Sequence, residues 1–352
     1  MMINKKLFLL LLSFVTLISF TSCDDEEVTI YGNWVEKPQF GGDKRAQAVS
    51  FVIDNKLYFG LGFNDTRASR GQYFTDFYSY EGGTTWTPLA EFPGAKREGA
   101  FSFAVDGKGY IGGGYYGDTT EVYHSDVWEY DPASNAWTQL AEDFPGGKRT
   151  EAVSFVVGGK AYVAGGRFES DATKKDCYVF DSTTKKFTKA ADMAFKRSGA
   201  FSFVIGDRAY VGGGYDNNFV KSFEYFNDKT KKWNDAGDLR DLYLPASITD
   251  GIDHYETELD IRRRWTSTFI IDDKGYIVGG NKNGVMNDCW EYDPSSDLWT
   301  RKSSFETDML PRQKATSFVL NDVPYIMAGQ SGLGYLDDLW SLEPNAEGDS
   351  ND

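Results

Sequence analysis

One frame is written six times into this chain. Counted from Arg97, it places a small residue at plus three, an aromatic at plus six, a tyrosine at plus thirteen and a glycine pair at plus sixteen and seventeen. It starts again at Arg45, Arg149, Arg197, Arg263 and Arg312, and every copy has its tyrosine: Tyr58, Tyr110, Tyr162, Tyr210, Tyr276 and Tyr325. The glycine pair is complete in the four inner copies and decays to Leu61 and Gly62 in the first and to Ala328 and Gly329 in the last. A spacing near 50 residues is far too long for a single helix or strand and suits one supersecondary unit per copy.

Within a copy, the stretch after the arginine alternates apolar and polar residues, as in Val153 to Val157, meets a turn such as Gly158 and Gly159, and resumes until the glycine pair. This predicts a hairpin. A third strand follows a variable loop, with alternate acidic and aromatic residues such as Asp126, Trp128 and Tyr130. A fourth is built around Trp86, Trp137, Phe187, Trp233 or Trp299. Four short amphipathic strands cannot bury a face alone, so the copies must stack radially. The sixth copy lacks its fourth strand, and Trp34 stands ahead of the first frame. The predicted fold is therefore all-β, a six-bladed propeller over residues 34–343 whose last blade is completed by the N-terminal strand, followed by a polar tail, 344–352. The paired glycines, the tyrosine before them and the spaced aromatics resemble kelch repeats.

Residues 1–22 read as an export signal, because Lys5 and Lys6 precede an apolar run too short to span a bilayer. The run ends at Cys23 in a sequence that resembles a bacterial lipobox, and an acidic tether, 23–33, follows. Its Asp24, Asp25, Glu26 and Glu27 resemble the export signal of surface lipoproteins in Bacteroidota. The expectation is an extracytoplasmic monomer held to the outer membrane by lipid on Cys23, touching the membrane only through that anchor. A formal charge of −16, made more negative by loss of the two lysines, disfavours nucleic acid as a partner. Cys177 and Cys289 occupy an apolar repeat slot and read as core residues.

In an antiparallel sheet the arginines, the glycine pairs and the loops between second and third strands share one face. Arg45, Arg97, Arg149, Arg197, Arg263 and Arg312 are thus expected to ring the channel mouth and clamp an anion, as matching arginines do in kelch domains that bind acidic peptides. Their structural alternative is pairing with a carboxylate, for which Glu98 and Glu151 are the candidates. Residues that differ between copies on this face, among them Tyr115, Arg167 and Tyr215, suit a sugar. An insertion at about 236–260 separates Trp233 from Arg263 by 29 residues, where other copies have 9 to 12.

The copper site of the galactose oxidase type needs two histidines and a cysteine cross-linked to tyrosine; here the only histidines are His124 and His254 and both Cys177 and Cys289 read as core residues, so that chemistry is set aside, and zinc is left without ligands. No metal or cofactor is expected. The first reading of function is a non-catalytic propeller that binds an anionic glycan or a partner surface protein. The second is an enzyme resembling the kelch-type sialic acid mutarotases, with His254, Glu256 and Glu121 as its acid and base groups.

Overall fold

Each frame folds as a four-stranded antiparallel sheet whose strands, from the axis outward, are called a, b, c and d. A computed structural model describes residues 30–65, 72–118, 120–169, 172–240, 260–305 and 308–347. Blade 1 comprises Val49–Ile53, Lys56–Gly60, Phe77–Tyr80 and Trp86–Pro88, and blade 2 comprises Phe101–Val105, Lys108–Gly112, Val127–Asp131 and Ala136–Gln139. Blade 3 is Val153–Val157, Lys160–Ala164, Cys177–Asp181 and Lys186–Lys189; blade 4 is Phe201–Ile205, Arg208–Gly212, Ser222–Asn227 and Lys232–Asp238. Blade 5 is Ser267–Ile271, Lys274–Val278, Cys289–Asp293 and Leu298–Lys302. Blade 6 takes strands a to c from Thr316–Leu320, Val323–Met327 and Leu339–Glu347, and strand d from Tyr31–Lys37 at the other end of the chain. The six a strands lie side by side around the axis, the last against the first.

The repeated aromatics explain why the sheets pack. The plus-six phenylalanine and the plus-thirteen tyrosine are direct partners across strands a and b in all six blades. Their rings stack, at 5.1 Å in Phe103–Tyr110 and Phe318–Tyr325. Cross-strand aromatic pairs of this kind stabilise sheets beyond simple burial. Six apolar clusters result, one at each junction of adjacent blades. Cys177 and Cys289 are fully buried free thiols in two of them.

Hydrogen bonds tie each blade to the next at two depths near the axis. Strand a carries a serine or threonine one residue before its phenylalanine, and the hydroxyl donates to the carbonyl of its counterpart in a neighbouring blade: Ser102 to Ser50, Ser154 to Ser102, Ser202 to Ser154, Thr268 to Ser202 and Ser317 to Thr268, at 2.7–3.1 Å. At the arginine end, the second glycine of the pair donates its N–H to the arginine carbonyl of the following blade, from Gly62 to Arg97 and onward until Gly329 reaches Arg45. A Cβ at Gly213 would lie 2.4 Å from the Arg263 carbonyl oxygen, and φ there is +60°. Only glycine meets both demands without strain.

The six arginines do not ring an open mouth. All are fully buried. Arg97 donates to both oxygens of Asp126 at the start of strand c, at 2.7 and 2.8 Å, and to the carbonyls of Gly113 and Ala95. Arg45 with Asp76, Arg149 with Asp176, Arg263 with Asp288 and Arg312 with Asp338 repeat this fork. In blade 4 the register of the carboxylate changes: Ser222 stands where the others have aspartate, and Glu224, two residues on, pairs with Arg197 at 2.7 Å. The expected partners Glu98 and Glu151 are not used. Each guanidinium therefore fastens the start of strand a, the end of b and the start of c within its own blade, and the expectation that the six bind a ligand is corrected.

Desolvation of a charge this deep is offset only by the bidentate partner and carbonyls, so removing one member leaves the other stranded. Arg97→Ala is expected to lose roughly 3 kcal/mol or more of stability, and Asp126→Ala nearly as much. The double substitution should lose clearly less than the sum, as read from urea midpoints. The Arg97 guanidinium and the Trp128 indole hold Asp126 below its ordinary range against the effect of burial. This contribution is present above the usual carboxylate range and is lost as pH falls through the lowered folded value. Trp34 is 2% exposed and donates its indole N–H to the Ser303 carbonyl. Trp34→Ala is expected to cost about 3–5 kcal/mol, and a smaller loss than 1 kcal/mol would show that blade 6 holds without its wedge.

Candidate functional site

Two residues after each arginine the backbone turns left-handed. Gln47, Gly99, Glu151, Gly199, Trp265 and Lys314 have φ between 52° and 61°. Each donates its N–H to the carbonyl of its counterpart in the adjoining blade: Gly99 to Gln47, Glu151 to Gly99, Gly199 to Glu151, Trp265 to Gly199, Lys314 to Trp265 and Gln47 to Lys314, at 2.9–3.2 Å. The result is a closed circle of six backbone hydrogen bonds around the axis. The backbone geometry is repeated, and the side chains it carries are not.

The two glycines make room. A Cβ on Gly199 would meet the Trp265 indole at 2.8 Å, and one on Gly99 would meet the end of the Gln47 amide at 2.8 Å. Beside Gly199 opens a cleft of about 430 Å³ lined by Glu151, Arg167, Thr173, Ser198, Tyr215, Asn217, Arg264, Trp265 and Lys314. Arg264 lies over the rings of Trp265 and Tyr215, at 3.7 and 4.8 Å. The Lys314 ammonium sits 4.3 Å from the Trp265 ring centre. Arg167 donates to the Glu151 carboxylate at 3.2 Å, and that side chain is only 4% exposed. Another groove, of about 460 Å³, runs along the outer strands of blade 4 beside Glu224 and Trp233. The axial cleft is the better site because charged groups converge there.

Glu98 adjoins the cleft from blade 2. Burial raises its pKa to about 7, against the pull of Lys314 and Arg167 and with a further upward push from Glu151. Burial lowers the pKa of Lys314, while Glu98 and Glu151 hold it up. Three cations face two carboxylates, one of them poised near neutrality, in the middle of an acidic protein. The cations gathered at the axis are Arg167, Arg264 and Lys314, not the arginines of the frame.

Arg167 and Tyr215 reach the cleft. Tyr115 pairs with Glu98 through the backbone and donates its hydroxyl to Glu121 at 3.2 Å. Glu121 itself is exposed on the outer strand of a small hairpin, Tyr115–Gly117 with Glu121–Tyr123, and is not part of the cleft lining. Cys23, His254 and Glu256, with most of the insertion, lie outside the described residues. The insertion's base is pinned, since Ile261 donates its N–H to the Leu239 carbonyl and both side chains are buried. Among the described residues, no group of three His, Cys, Asp or Glu side chains is placed to hold a metal ion. Sequence reasoning missed Glu98, Lys314 and Arg264 as a site. The available signal was Trp265, the one tryptophan outside the repeat scheme, next to Arg264 and two residues from a frame arginine.

The Glu98 carboxyl is expected to titrate near pH 7 by carbon-13 NMR. Lys314→Met should move its midpoint upward, because a cation that favours the carboxylate is removed. An unmoved midpoint would mean that the two groups are not coupled.

A family model described as the KLHDC2/KLHL20/DRC7 Kelch-repeats domain matches residues 29–214, and one described as the Kelch motif matches residues 196–240. The chain is 36% identical over 118 residues to the N-acetylneuraminate epimerase of Yersinia enterocolitica, a stretch that is 32% of this chain and 29% of that protein. It is 40% identical over 119 residues to N-acetylneuraminate epimerase 2 of Escherichia coli and 36% identical over 120 residues to the N-acetylneuraminate epimerase of Pasteurella multocida. These stretches cover 33% of this chain and 30% and 29% of the two relatives, so the chain spans under a third of the length of each. A solved structure titled "Structure of YjhT" superposes with a TM-score of 0.68 at 20% identity, over 86% of this chain and 95% of that one, and shares its fold. The reading of a non-catalytic binder is corrected here, because the relatives that match are named as enzymes. With more than half of its length matched by the first of these models, the chain belongs to the kelch-repeat family.

Proposed function

We propose that this propeller is a sugar epimerase of the mutarotase kind, which accelerates exchange between the α and β anomers of N-acetylneuraminate in the axial cleft. The names of the matching relatives support this reading. The observation that carries it is the convergence of Arg167, Arg264 and Lys314 with a carboxyl that titrates near neutrality, beside the aromatic walls of Tyr215 and Trp265. An anomeric acid of this class needs a cation for its carboxylate, a flat apolar face for its ring, and groups that exchange a proton at the anomeric oxygen. It needs no redox partner, because ring opening and closing leave the oxidation state unchanged.

The cations act mainly in binding. Arg264 is already oriented by two rings, so little side-chain freedom is lost when it meets a carboxylate. The test is exchange-resolved proton NMR on a mixture of the two anomers. The protein should raise the exchange rate in proportion to its concentration, and Arg264→Ala should raise KM about tenfold or more. If the exchange rate with protein equals that of buffer, the proposal is wrong.

A further inference from the structure

Gln47 stands between Lys314, which lines the cleft, and Glu98, which adjoins it, two groups of opposite charge. With its amide oriented to satisfy both, the nitrogen donates to Glu98 Oε2 at 3.3 Å and the oxygen accepts from Lys314 Nζ at 2.8 Å. Gln47 and Lys314 belong to the closed backbone circle in blades 1 and 6, and Glu98 directly precedes Gly99, the circle's member in blade 2, with its own N–H donated to the Tyr115 carbonyl. No direct ion pair between Glu98 and Lys314 is needed, so neither charge is consumed by the other.

From this arrangement we infer that Glu98 and Lys314 are the base and the acid of ring opening, with Gln47 as the positioning residue that spaces them across the anomeric centre. The inference rests on the epimerase reading above. The Glu98 carboxylate takes the proton of the anomeric hydroxyl as the bond from the anomeric carbon to the ring oxygen breaks. The bond's electron pair goes to the ring oxygen, which receives a proton from the Lys314 ammonium, and the anomeric carbon becomes a ketone. After rotation about the adjoining carbon–carbon bond, the freed hydroxyl attacks the opposite face of the carbonyl. It returns its proton to Lys314, and the new anomeric oxygen takes the proton from Glu98. Both groups end each cycle as they began, and nothing outside the site is required.

The surroundings set the working forms. Glu98 is faced by Lys314, Glu151, Arg167 and Tyr73, with Tyr115 and Tyr335 within its field; Lys314 is faced by Glu98, Glu151, Arg167 and Arg264. The base must be ionised and the acid protonated, so kcat should rise with pH through the Glu98 value near 7 and fall again as Lys314 deprotonates.

Four variants test the pairing: Gln47→Leu, Gln47→Glu, Glu98→Gln and Lys314→Met, each first checked for the native thermal transition. Gln47→Leu should lower kcat about tenfold with KM nearly unchanged and shift the acidic limb upward, because the carboxylate loses a donor. Gln47→Glu should shift both limbs upward, because an added negative charge disfavours ionised Glu98 and favours protonated Lys314. Glu98→Gln and Lys314→Met should each abolish one limb and cost at least a hundredfold in kcat. Wild-type kcat and limbs in the Gln47 variants, or unchanged kcat in Glu98→Gln or Lys314→Met, would overturn the inference while leaving the epimerase reading intact. If the wild type itself gives no exchange, the epimerase reading has failed and this inference falls with it.

Discussion

Six N–H groups donating to six carbonyls in a closed circle hold the axis of this molecule together, and every other feature is arranged around them. The circle requires six consecutive blades to present one left-handed residue each at the same height. Left-handed backbone costs a non-glycine residue about 1 kcal/mol, and four of the six positions bear that cost in Gln47, Glu151, Trp265 and Lys314. Local strain that recurs in a ring persists because the blades on either side over-determine it. The same constraint brings the residues before and after each turn to the channel mouth, which is where chemistry can break the symmetry.

The buried arginine forks supply the rigidity behind that mouth. Each guanidinium draws together three strands of one blade, and the loops that reach the cleft depart from those strand ends. A fork of this kind is a costly way to stabilise a fold, since its desolvation nearly cancels its attraction. It has the merit of specifying one arrangement, because few groups satisfy an arginine with no exposed surface. Blade 4 shows how strict the demand is: with serine in place of aspartate, the carboxylate is restored two residues later by Glu224, at the position where blades 2, 5 and 6 have tryptophan. The charges at the mouth follow a different rule. Glu98 is held at a pKa of about 7, which at neutral pH and above withholds roughly 3 kcal/mol of stability relative to an ordinary carboxyl. A role in proton exchange, as proposed above, would account for such a cost.

The arginines illustrate why a repeat misleads about function. A residue present in all six copies faces six equivalent environments, and it is most economically explained by what is common to them, the blade itself. A single ligand on the axis meets the side chains that differ. Glu98, Glu151, Arg264 and Lys314 differ from their counterparts in the other blades, whereas Arg97, Arg149, Arg263 and Arg312 do not.

The number of blades, the recurrence of an aromatic and a tyrosine at fixed places in each and the closure through Trp34 were legible in the amino-acid order, because each depends on contacts within one repeat or between repeats of fixed period. The partner of each arginine also lay in plain view, an aspartate 25 to 31 residues on in five copies, but distance along a strand says nothing of which way a guanidinium turns. The cleft was not legible. Gln47, Glu98, Glu151, Arg264 and Lys314 are spread over nearly the whole propeller sequence, from five different blades, and become neighbours only when the ring closes and its left-handed turns bring the residues at and before them to a common axis.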